Sequence, residues 1–288
     1  MMSRLAGIAA LLATLCLVIA CDVKVGKEGV SVDVAHGKAT DEWKRTYSLK
    51  PGGRLDIVNV SGQIVVLPSQ TGSVEIVASR EARASTDENA QELLKKAQMV
   101  EQVAPDRVAI ESRLDNRNGL GHSVNVQITV RVPAGLIVSA KTENGGVQLE
   151  RVDGTLTAQS TNGPIVGREL SGSVTASTVN GGIRIEIAKL TGDSRITAVN
   201  GPVELALAPD VNAMLEASVV NGPVLIADGF PLTTTDRSPQ HVAGTINRGG
   251  PTITANTTNG AVRVKSGTLD VYESGRGRRG RRGAPPPS

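Results

Sequence analysis

The sequence predicts an all-β protein: a single-stranded parallel β-helix, or solenoid, with one amphipathic helix near its N-terminal end and a disordered C-terminal tail. In the second half of the chain, Asn-Gly pairs recur at intervals of 18, 18, 20, 21 and 38 residues, and a fixed period near twenty indicates stacked units. Apolar and polar residues alternate around each pair, as in strands with one buried face. The pairs are Asn144 and Gly145, Asn162 and Gly163, Asn180 and Gly181, Asn200 and Gly201, Asn221 and Gly222, and Asn259 and Gly260.

The apolar frame around each Asn has a constant spacing. The third residue after it is always β-branched: Val147, Ile165, Ile183, Val203, Val224 and Val262. The fourth residue before it is Ala in every unit but one: Ala140, Ala158, Ala176, Ile196, Ala217 and Ala255. We interpret the exception as a two-residue deletion that slips the register, so that Ala198 takes the place of the missing Ala.

Two arrangements of these strands are compatible with Asn-Gly turns. The pair is a strong signal for a two-residue hairpin, which would give an antiparallel meander. A coil that stacks on the next coil instead places like residues on like, so the Asn side chains form an amide ladder and Gly supplies the corner with its positive φ. Because the same residue stands at the same offset in every unit, we favour the stacked coils.

The repeats also carry a resemblance. The run TENGGVQLERVDGTLTAQSTNGPIVGRELSGSVTASTVNGGIRIEI, which overlaps the preceding ITVRVPAGLIVSAKTENG, resembles the bacterial putative-adhesin family of β-strand-repeat domains, a domain of unknown function. The similarity covers roughly Gly53 to Val271. It implies an envelope-associated β-helix and carries no active site across.

The first residues resemble a lipoprotein signal peptide. Arg4 precedes an uncharged apolar stretch of about fifteen residues, which is too short for a membrane span. It ends in VIAC, which is similar to the lipobox cleaved before a lipid-modified cysteine. We therefore expect residues 1–20 to be the signal peptide and Cys21 to carry the lipid, including palmitate, that holds the protein on a membrane. An ordinary signal peptide with a chance cysteine is the alternative.

The segments between anchor and repeats have their own signals. Residues 21–52 are predicted to be a polar spacer, and a repeat domain over 53–273 is predicted to begin with a degenerate coil, NVSGQIVVL. Ser85 and Glu88 have capping-box spacing and predict a helix over about 86–100 that covers the N-terminal end. Residues 227–250 depart from the pattern and predict a protruding loop.

Charge is concentrated in the last residues. Removing Arg4 and the five arginines of the tail from the formal net charge of +3 leaves −3 for the remainder. Residues 274–288 combine Arg, Gly and Pro without aliphatic residues, which predicts disorder. Attraction of Arg276, Arg278, Arg279, Arg281 and Arg282 to an anionic envelope polymer or lipid is one interpretation, and a solvated tail without a role is the other. No nucleic-acid partner is expected.

The sequence offers little for catalysis. Acidic and basic residues alternate across units at the outward positions, which favours ion pairing over a converging carboxylate pair. His36, His122 and His241 have no metal-ligand spacing. Trp43 and Tyr47 are interpreted as a cluster that seals the start of the domain. We expect no enzyme activity, no metal and no cofactor.

These observations predict a lipid-anchored protein of the bacterial cell envelope that acts by surface recognition, adhesion or scaffolding. The inner or outer membrane is left open as its location, and no protein partner is indicated. A self-assembling structural β-helix is the alternative, and an envelope polysaccharide lyase or hydrolase a weaker one, with Glu186 and Glu204 as its acidic residues.

Overall fold

The structure, a computed structural model, describes residues 21–26, 29–34, 37–114 and 122–269. Within these residues it is all-β with one α-helix. The first half contains β1 (Cys21–Gly26), β2 (Gly29–Val34), β3 (Gly37–Tyr47), β4 (Arg54–Ser61), β5 (Ile64–Pro68), β6 (Val74–Ala84), α1 (Asp87–Lys96), β7 (Ala97–Ala104), β8 (Arg107–Leu114) and β9 (Ser123–Val132).

The second half contains the repeats. Its strands are β10 (Leu136–Asn144), β11 (Val147–Glu150), β12 (Asp153–Asn162), β13 (Ile165–Asn180), β14 (Ile183–Leu190), β15 (Ser194–Asn200), β16 (Val203–Leu207), β17 (Ala213–Asn221), β18 (Val224–Ile226), β19 (Leu232–Arg237), β20 (His241–Ile246), β21 (Thr252–Asn259) and β22 (Val262–Ser266).

Twenty strands form one continuous curled sheet, while β1 and β2 form a separate antiparallel pair. The sheet has two rows. The long-strand row contains the strands that precede each Asn-Gly pair, in the spatial order β10, β12, the second half of β13, β15, β21 and β17. The short-strand row contains those that follow it: β11, the first half of β13, β14, β16, β22 and β18.

Neighbouring repeat strands in both rows are parallel and in register, so the antiparallel meander is not the observed arrangement. Val138 pairs with Leu156 and Ala140 with Ala158, one period of 18 residues further on. The inward side chains of both rows form one hydrophobic core. Aliphatic burial along the length of the rows supplies the main stabilising contribution.

The order of the last two units differs from the expected sequential stacking. β15 pairs with β21, and β21 pairs with β17 on its other side. The unit of Asn259 therefore lies between those of Asn200 and Asn221. Because Asn221 and Asn259 share the same repeat pattern, periodicity alone could not reveal this exchange.

The predicted register slip near Ala198 is wrong. Thr178 pairs with Ala198 and Ala176 with Ile196, so the unit keeps its register and Ile196 takes the place of Ala. The change in period is absorbed earlier, where β14 extends to Leu190 before the chain turns back. A longer strand adds residues there without disturbing the paired core positions.

Strands without the Asn-Gly motif extend the repeats at the N-terminal end: β8 and β9 pair parallel with β4 and β5, and β7, β6 and β3 are added antiparallel. β4 and β5 form the expected first coil, since Ser61 of β4 pairs with Asn144. Beyond them, β8 and β7 extend the long-strand row, and β9, β6 and β3 extend the short-strand row. The predicted spacer 21–52 is thus only partly outside the domain, because β3 (Gly37–Tyr47) belongs to the main sheet.

The helix is shorter than predicted and has a different cap. It covers Asp87–Lys96, and the N-cap is Thr86, whose hydroxyl accepts a hydrogen bond from the Asn89 amide at 3.3 Å. The capping box predicted from Ser85 and Glu88 is therefore wrong by one residue. The apolar face of the helix packs on β3 and β6. The contact is formed by Ala90, Leu93 and Leu94 of the helix and by Ala39, Ala82 and Ala84 of the strands.

The segment 227–250, predicted as a loop, contains the hairpin of β19 and β20. β20 pairs antiparallel with β17, and β19 pairs with β20. Phe230, Val242 and Ile246 are buried in the main core. The exposed side of the hairpin carries Thr and Asp residues, which have the composition of a loop. The sequence therefore did not indicate that the hairpin covers the core.

Candidate functional site

The predicted amide ladder is present and continuous through all six Asn residues. Each Nδ2 donates to the Oδ1 of the preceding Asn in the stack, at 2.8–2.9 Å. The order is Asn144, Asn162, Asn180, Asn200, Asn259 and Asn221. The ladder joins all six corners on the side of the molecule where the two rows meet.

The Gly that follows each Asn is required by the close approach of neighbouring coils. Gly181 has φ of 156°, and a Cβ on it would lie 2.3 Å from the carbonyl oxygen of Gly163. A side chain could not be accommodated without separating the coils. The backbone at this corner is therefore fixed by contact with its neighbour.

A second set of hydrogen bonds, which sequence reasoning missed, lies inside the corner. Hydroxyl groups two residues before the Asn donate to a Gly carbonyl of the adjacent coil at 2.8–3.1 Å. The donors are Thr142, Ser160, Thr178 and Thr257, all buried. The recurrence of Ser or Thr at this one inward position is the signal that could have revealed them.

The outer surface of the long-strand row is rich in hydroxyl groups. In three of the four columns of outward positions, the register places Ser or Thr beside Ser or Thr in two or three neighbouring coils, while the fourth column contains the exposed Val179, Val199 and Val220. We call this surface the hydroxyl face. Its central residues are Thr155, Thr157, Ser173, Thr175, Ser177, Thr197, Thr252 and Thr254. Arg195 and Glu216 interrupt the hydroxyl groups of this face, whose strands lie about 4.8 Å apart.

Charged residues on the short-strand row pair with one another. Glu204 contacts Arg184 at 3.0 Å and Lys265 at 3.2 Å, as the alternation of acid and base predicted. Glu186 is buried, and its Oε2 accepts a hydrogen bond from the Leu269 amide at 3.1 Å. Glu186 and Glu204 therefore have different partners and do not form a shared acidic site.

A charged group on the outer surface of β4 and β8 surrounds Asp56. Its carboxylate accepts hydrogen bonds from the Nε atoms of Arg54 at 2.9 Å and Arg107 at 2.8 Å. Burial tends to raise the pKa of Asp56, but the two arginines outweigh it and lower the pKa below its ordinary value. The group links two parallel strands electrostatically.

The aromatic cluster at the N-terminal end joins β3 to β7. Tyr47 donates its hydroxyl hydrogen to Glu101 at 2.6 Å, while Arg45 pairs with Glu101 and lies 4.9 Å from the ring centroid of Trp43. Burial and the bond to Glu101 raise the pKa of Tyr47. Trp43 and Tyr47 pack partly against the main core, consistent with the predicted seal.

A cavity of about 750 Å³ lies on the sheet of β3, β6 and β9. It is open and polar, and its charged side chains already have partners: Arg80 binds Asp41, and Glu81 binds Arg83. Among the described residues, no group of His, Cys, Asp or Glu has the arrangement of a metal site. No helix in that part of the chain is long and apolar enough to cross a membrane.

The remaining predicted residues are only partly covered. Cys21 is the first residue of β1, and its lipidation stays a prediction. Residues 1–20, His36 and the tail with its five arginines lie outside the residues whose side chains are described. His122 is exposed, and His241 lies 3.6 Å from the Asp236 carboxylate.

The stacked repeats and this surface define an all-β repeat domain, and a family model matches part of it. Residues 125–265 match the model described as Toastrack DUF4097. The chain thus carries a Toastrack DUF4097 domain, whose function is unknown. The resemblance seen in the sequence is confirmed, although the match begins within β9 and not near Gly53. No curated protein matches the chain.

Several solved structures have a similar chain course. A putative cell adhesion protein from Clostridium sporogenes is 10% identical, covers 80% of this chain and 100% of its own, and has a TM-score of 0.46. A putative adhesin from Bacteroides fragilis has 15% identity, coverage of 78% and 97%, and a TM-score of 0.30. A putative lipid binding protein from Parabacteroides distasonis has 10% identity, coverage of 81% and 98%, and a TM-score of 0.30. These scores transfer no function.

Proposed function

We propose that this is a lipid-anchored, non-catalytic protein of the bacterial cell envelope that acts by surface recognition, adhesion or scaffolding. The hydroxyl face is its contact surface. The observation that carries this proposal is the register, which places hydroxyl groups of two or three successive coils side by side. Such adjacent hydroxyl groups suit an extended partner, because many weak hydrogen bonds act together along its length.

We further propose that the repeats form a parallel β-helix with two strands per coil and an exchange of its last two coils. The parallel register and the continuous Asn ladder support this description. A β-helix presents its outer face as a rigid plane, because inward hydrogen bonds hold each corner. Rigidity lowers the entropy lost on binding.

The pairing of the surface charges supports contact over catalysis. Glu204 has two basic partners, and Asp56 has two as well. Carboxylates neutralised in this way suit fixed surface geometry better than proton transfer, which needs a group with a pKa near the working pH. The proposed role therefore requires no reacting group.

Anchoring is the part of the proposal that depends on Cys21. The lipobox-like VIAC places a thiol where two or more acyl chains would hold the protein on a membrane. Metabolic labelling with an alkyne fatty acid tests it: the wild-type protein takes the label, and Cys21→Ser does not. Equal labelling of both proteins would exclude this anchor.

The contact surface is tested with charge substitutions on outward positions. Thr157→Glu with Thr175→Glu places two like charges in adjacent coils of the hydroxyl face. Thr233→Glu with Thr234→Glu is the matched control, because both residues are exposed on β19. Co-sedimentation with purified envelope fragments is expected to fall at least about tenfold for the first pair only. The two introduced carboxylates repel each other and keep their hydration water, so the face no longer desolvates on contact. Equal binding by both variants would refute the assignment.

Self-assembly through stacked ends is the competing function. The hairpin of β19 and β20 covers one end of the repeats, and β3, β6 and α1 extend the other. Such coverings oppose end-to-end growth of solenoids. Light scattering of the domain is expected to show no increase of mass with concentration, and filaments would favour the competing function.

Lipid anchoring does not by itself use the arginine-rich tail. We propose that Arg276, Arg278, Arg279, Arg281 and Arg282 bind an anionic envelope polymer or lipid. Co-sedimentation with vesicles that contain anionic lipid, compared with neutral vesicles, measures this contribution. Replacing the five arginines by Gln is expected to abolish the difference between the two vesicles, and an unchanged difference would refute the role.

A further inference from the structure

The six Asn-Gly pairs of the repeats are chemically alike but differ in their surroundings; a seventh pair, Asn118 and Gly119, lies outside the described residues. In an Asn-Gly pair, the Gly amide nitrogen is able to attack the Asn side-chain carbonyl carbon, because Gly has no Cβ to hinder the approach. A hydrogen bond that engages the Gly N–H opposes this reaction, because the nitrogen must be released first. The state of each Gly N–H therefore decides which pair is reactive.

Five of the six Gly amides are engaged by the next coil of the stack. Each donates to the main-chain carbonyl oxygen of the following Asn, at 2.8–3.1 Å. The donors are Gly145, Gly163, Gly181, Gly201 and Gly260. Their acceptors are Asn162, Asn180, Asn200, Asn259 and Asn221 in that order.

Gly222 is the exception, because the unit of Asn221 is the last in the stack. Within the described part of the chain, its N–H has no hydrogen-bond acceptor. Asn221 is exposed, and its side chain makes one ladder bond, from Nδ2 to the Oδ1 of Asn259 at 2.8 Å. The exchange of the last two coils thus leaves this pair, and not that of Asn259, at the end.

We propose that Asn221 is a site of selective deamidation. The Gly222 nitrogen forms a bond to Cγ of Asn221 and loses its proton to water, while the bond from Cγ to Nδ2 breaks and Nδ2 takes up a proton from water and leaves as ammonia. Water then opens the resulting five-membered imide at either carbonyl. The products are an aspartate, or an isoaspartate whose main chain runs through the former side chain.

Deamidation of Asn221 would change the contact of its turn with the hairpin of β19 and β20. A carboxylate at 221 cannot donate to Asn259, so the last rung of the ladder is lost. The same turn is attached to the hairpin through the Val219 amide, which donates to Gln240 at 2.8 Å, and the Val224 amide, which donates to Pro239 at 2.9 Å. The altered main chain of an isoaspartate would displace these two bonds and loosen the cap.

The test is peptide mapping of the full-length protein after incubation at mildly alkaline pH. Mass spectrometry follows the exchange of an amide for an acid at the six sites of the repeats, in native protein and in urea. The native rate at Asn221 is expected to approach its rate in urea, while the other five sites are slowed at least about tenfold. Protection of Asn221 equal to that of the other sites would overturn the proposal.

Asn144 is the internal control for position in the ladder. It is the other end of the ladder, but its Gly145 N–H is engaged by the Asn162 carbonyl at 3.0 Å. It is expected to remain slow in the native protein, and a rate equal to that of Asn221 would show that the Gly N–H is not the deciding feature. Asn221→Gln is expected to abolish the change at this site alone, because Gln forms a larger ring slowly.

Discussion

Removal of an interior rung of the Asn ladder is expected to cost more stability than removal of its end. Asn180→Ala deletes two side-chain hydrogen bonds, to Asn162 and from Asn200, both 2.9 Å long. Asn221→Ala deletes one, of 2.8 Å, to Asn259. With a net value of about 0.5–1.5 kcal/mol for each bond, the free energy of unfolding falls by about 1–3 kcal/mol and 0.5–1.5 kcal/mol respectively.

Urea denaturation followed by far-UV circular dichroism measures both losses, from the midpoint and the slope of the transition. Gln127→Ala is the control, because Gln127 is an exposed amide on β9 outside the ladder. It is expected to change the free energy of unfolding by less than about 0.5 kcal/mol. If Asn180→Ala cost no more than Asn221→Ala, the ladder would not act as a chain of paired amides.

Three further predictions concern the corners, the charges and the helix. Ala198→Ser places a hydroxyl where neighbouring coils have one, within reach of the Gly181 carbonyl. The new hydrogen bond is expected to stabilise the protein by about 0.5–1.5 kcal/mol in urea denaturation. Destabilisation would contradict this prediction. The lowered pKa of Asp56 contributes stability that is complete above the ordinary Asp pKa near 4 and is lost as pH falls through the folded value. In Arg107→Ala, the free energy of unfolding is expected to fall less between neutral and acid pH. An unchanged fall would contradict the pairing of Asp56 with Arg107. Leu94→Ala is expected to lower the free energy of unfolding by about 2–5 kcal/mol, because it leaves a cavity between α1 and the sheet. A loss below about 1 kcal/mol in thermal or urea unfolding would mean that the helix is not packed there.

The repeats could be predicted from the sequence because their determinants are local. Each Asn-Gly pair fixes a corner, and the β-branched residue three positions later fixes the inward face. Parallel stacking brings identical residues into contact, so the ladder followed from the spacing. The resemblance to a known domain agreed with the same pattern.

The ends could not be predicted because their determinants are distant in sequence. β3 pairs with β6 over all of its eleven residues, yet neither strand carries the repeat motif. The exchange of β21 and β17 depends on the hairpin of β19 and β20, which occupies the far side of β17. Its exposed Thr-rich strand has the composition of a loop.

Part of the candidate site was visible in the sequence for the same reason. The alternation of charge predicted the pair of Arg184 and Glu204, because cross-strand neighbours lie one period apart. The partners of Glu186 and Asp56 were not visible, since Leu269 and Arg107 come from outside the repeat. Contacts between a repeat and a non-repeating segment have no periodic signal.

Disulfide cross-linking tests the stacking order most directly. In a protein with Cys16 and Cys21 replaced by Ser, Thr197→Cys is combined either with Asn256→Cys or with Ser218→Cys. Thr197 lies directly opposite Asn256, within the separation of about 4.4–6.8 Å that a disulfide needs, whereas Ser218 lies one strand further away. Non-reducing peptide mapping is expected to find the 197–256 bond and not the 197–218 bond. Efficient formation of the 197–218 bond, without the other, would show that the units stack in chain order and would contradict the account.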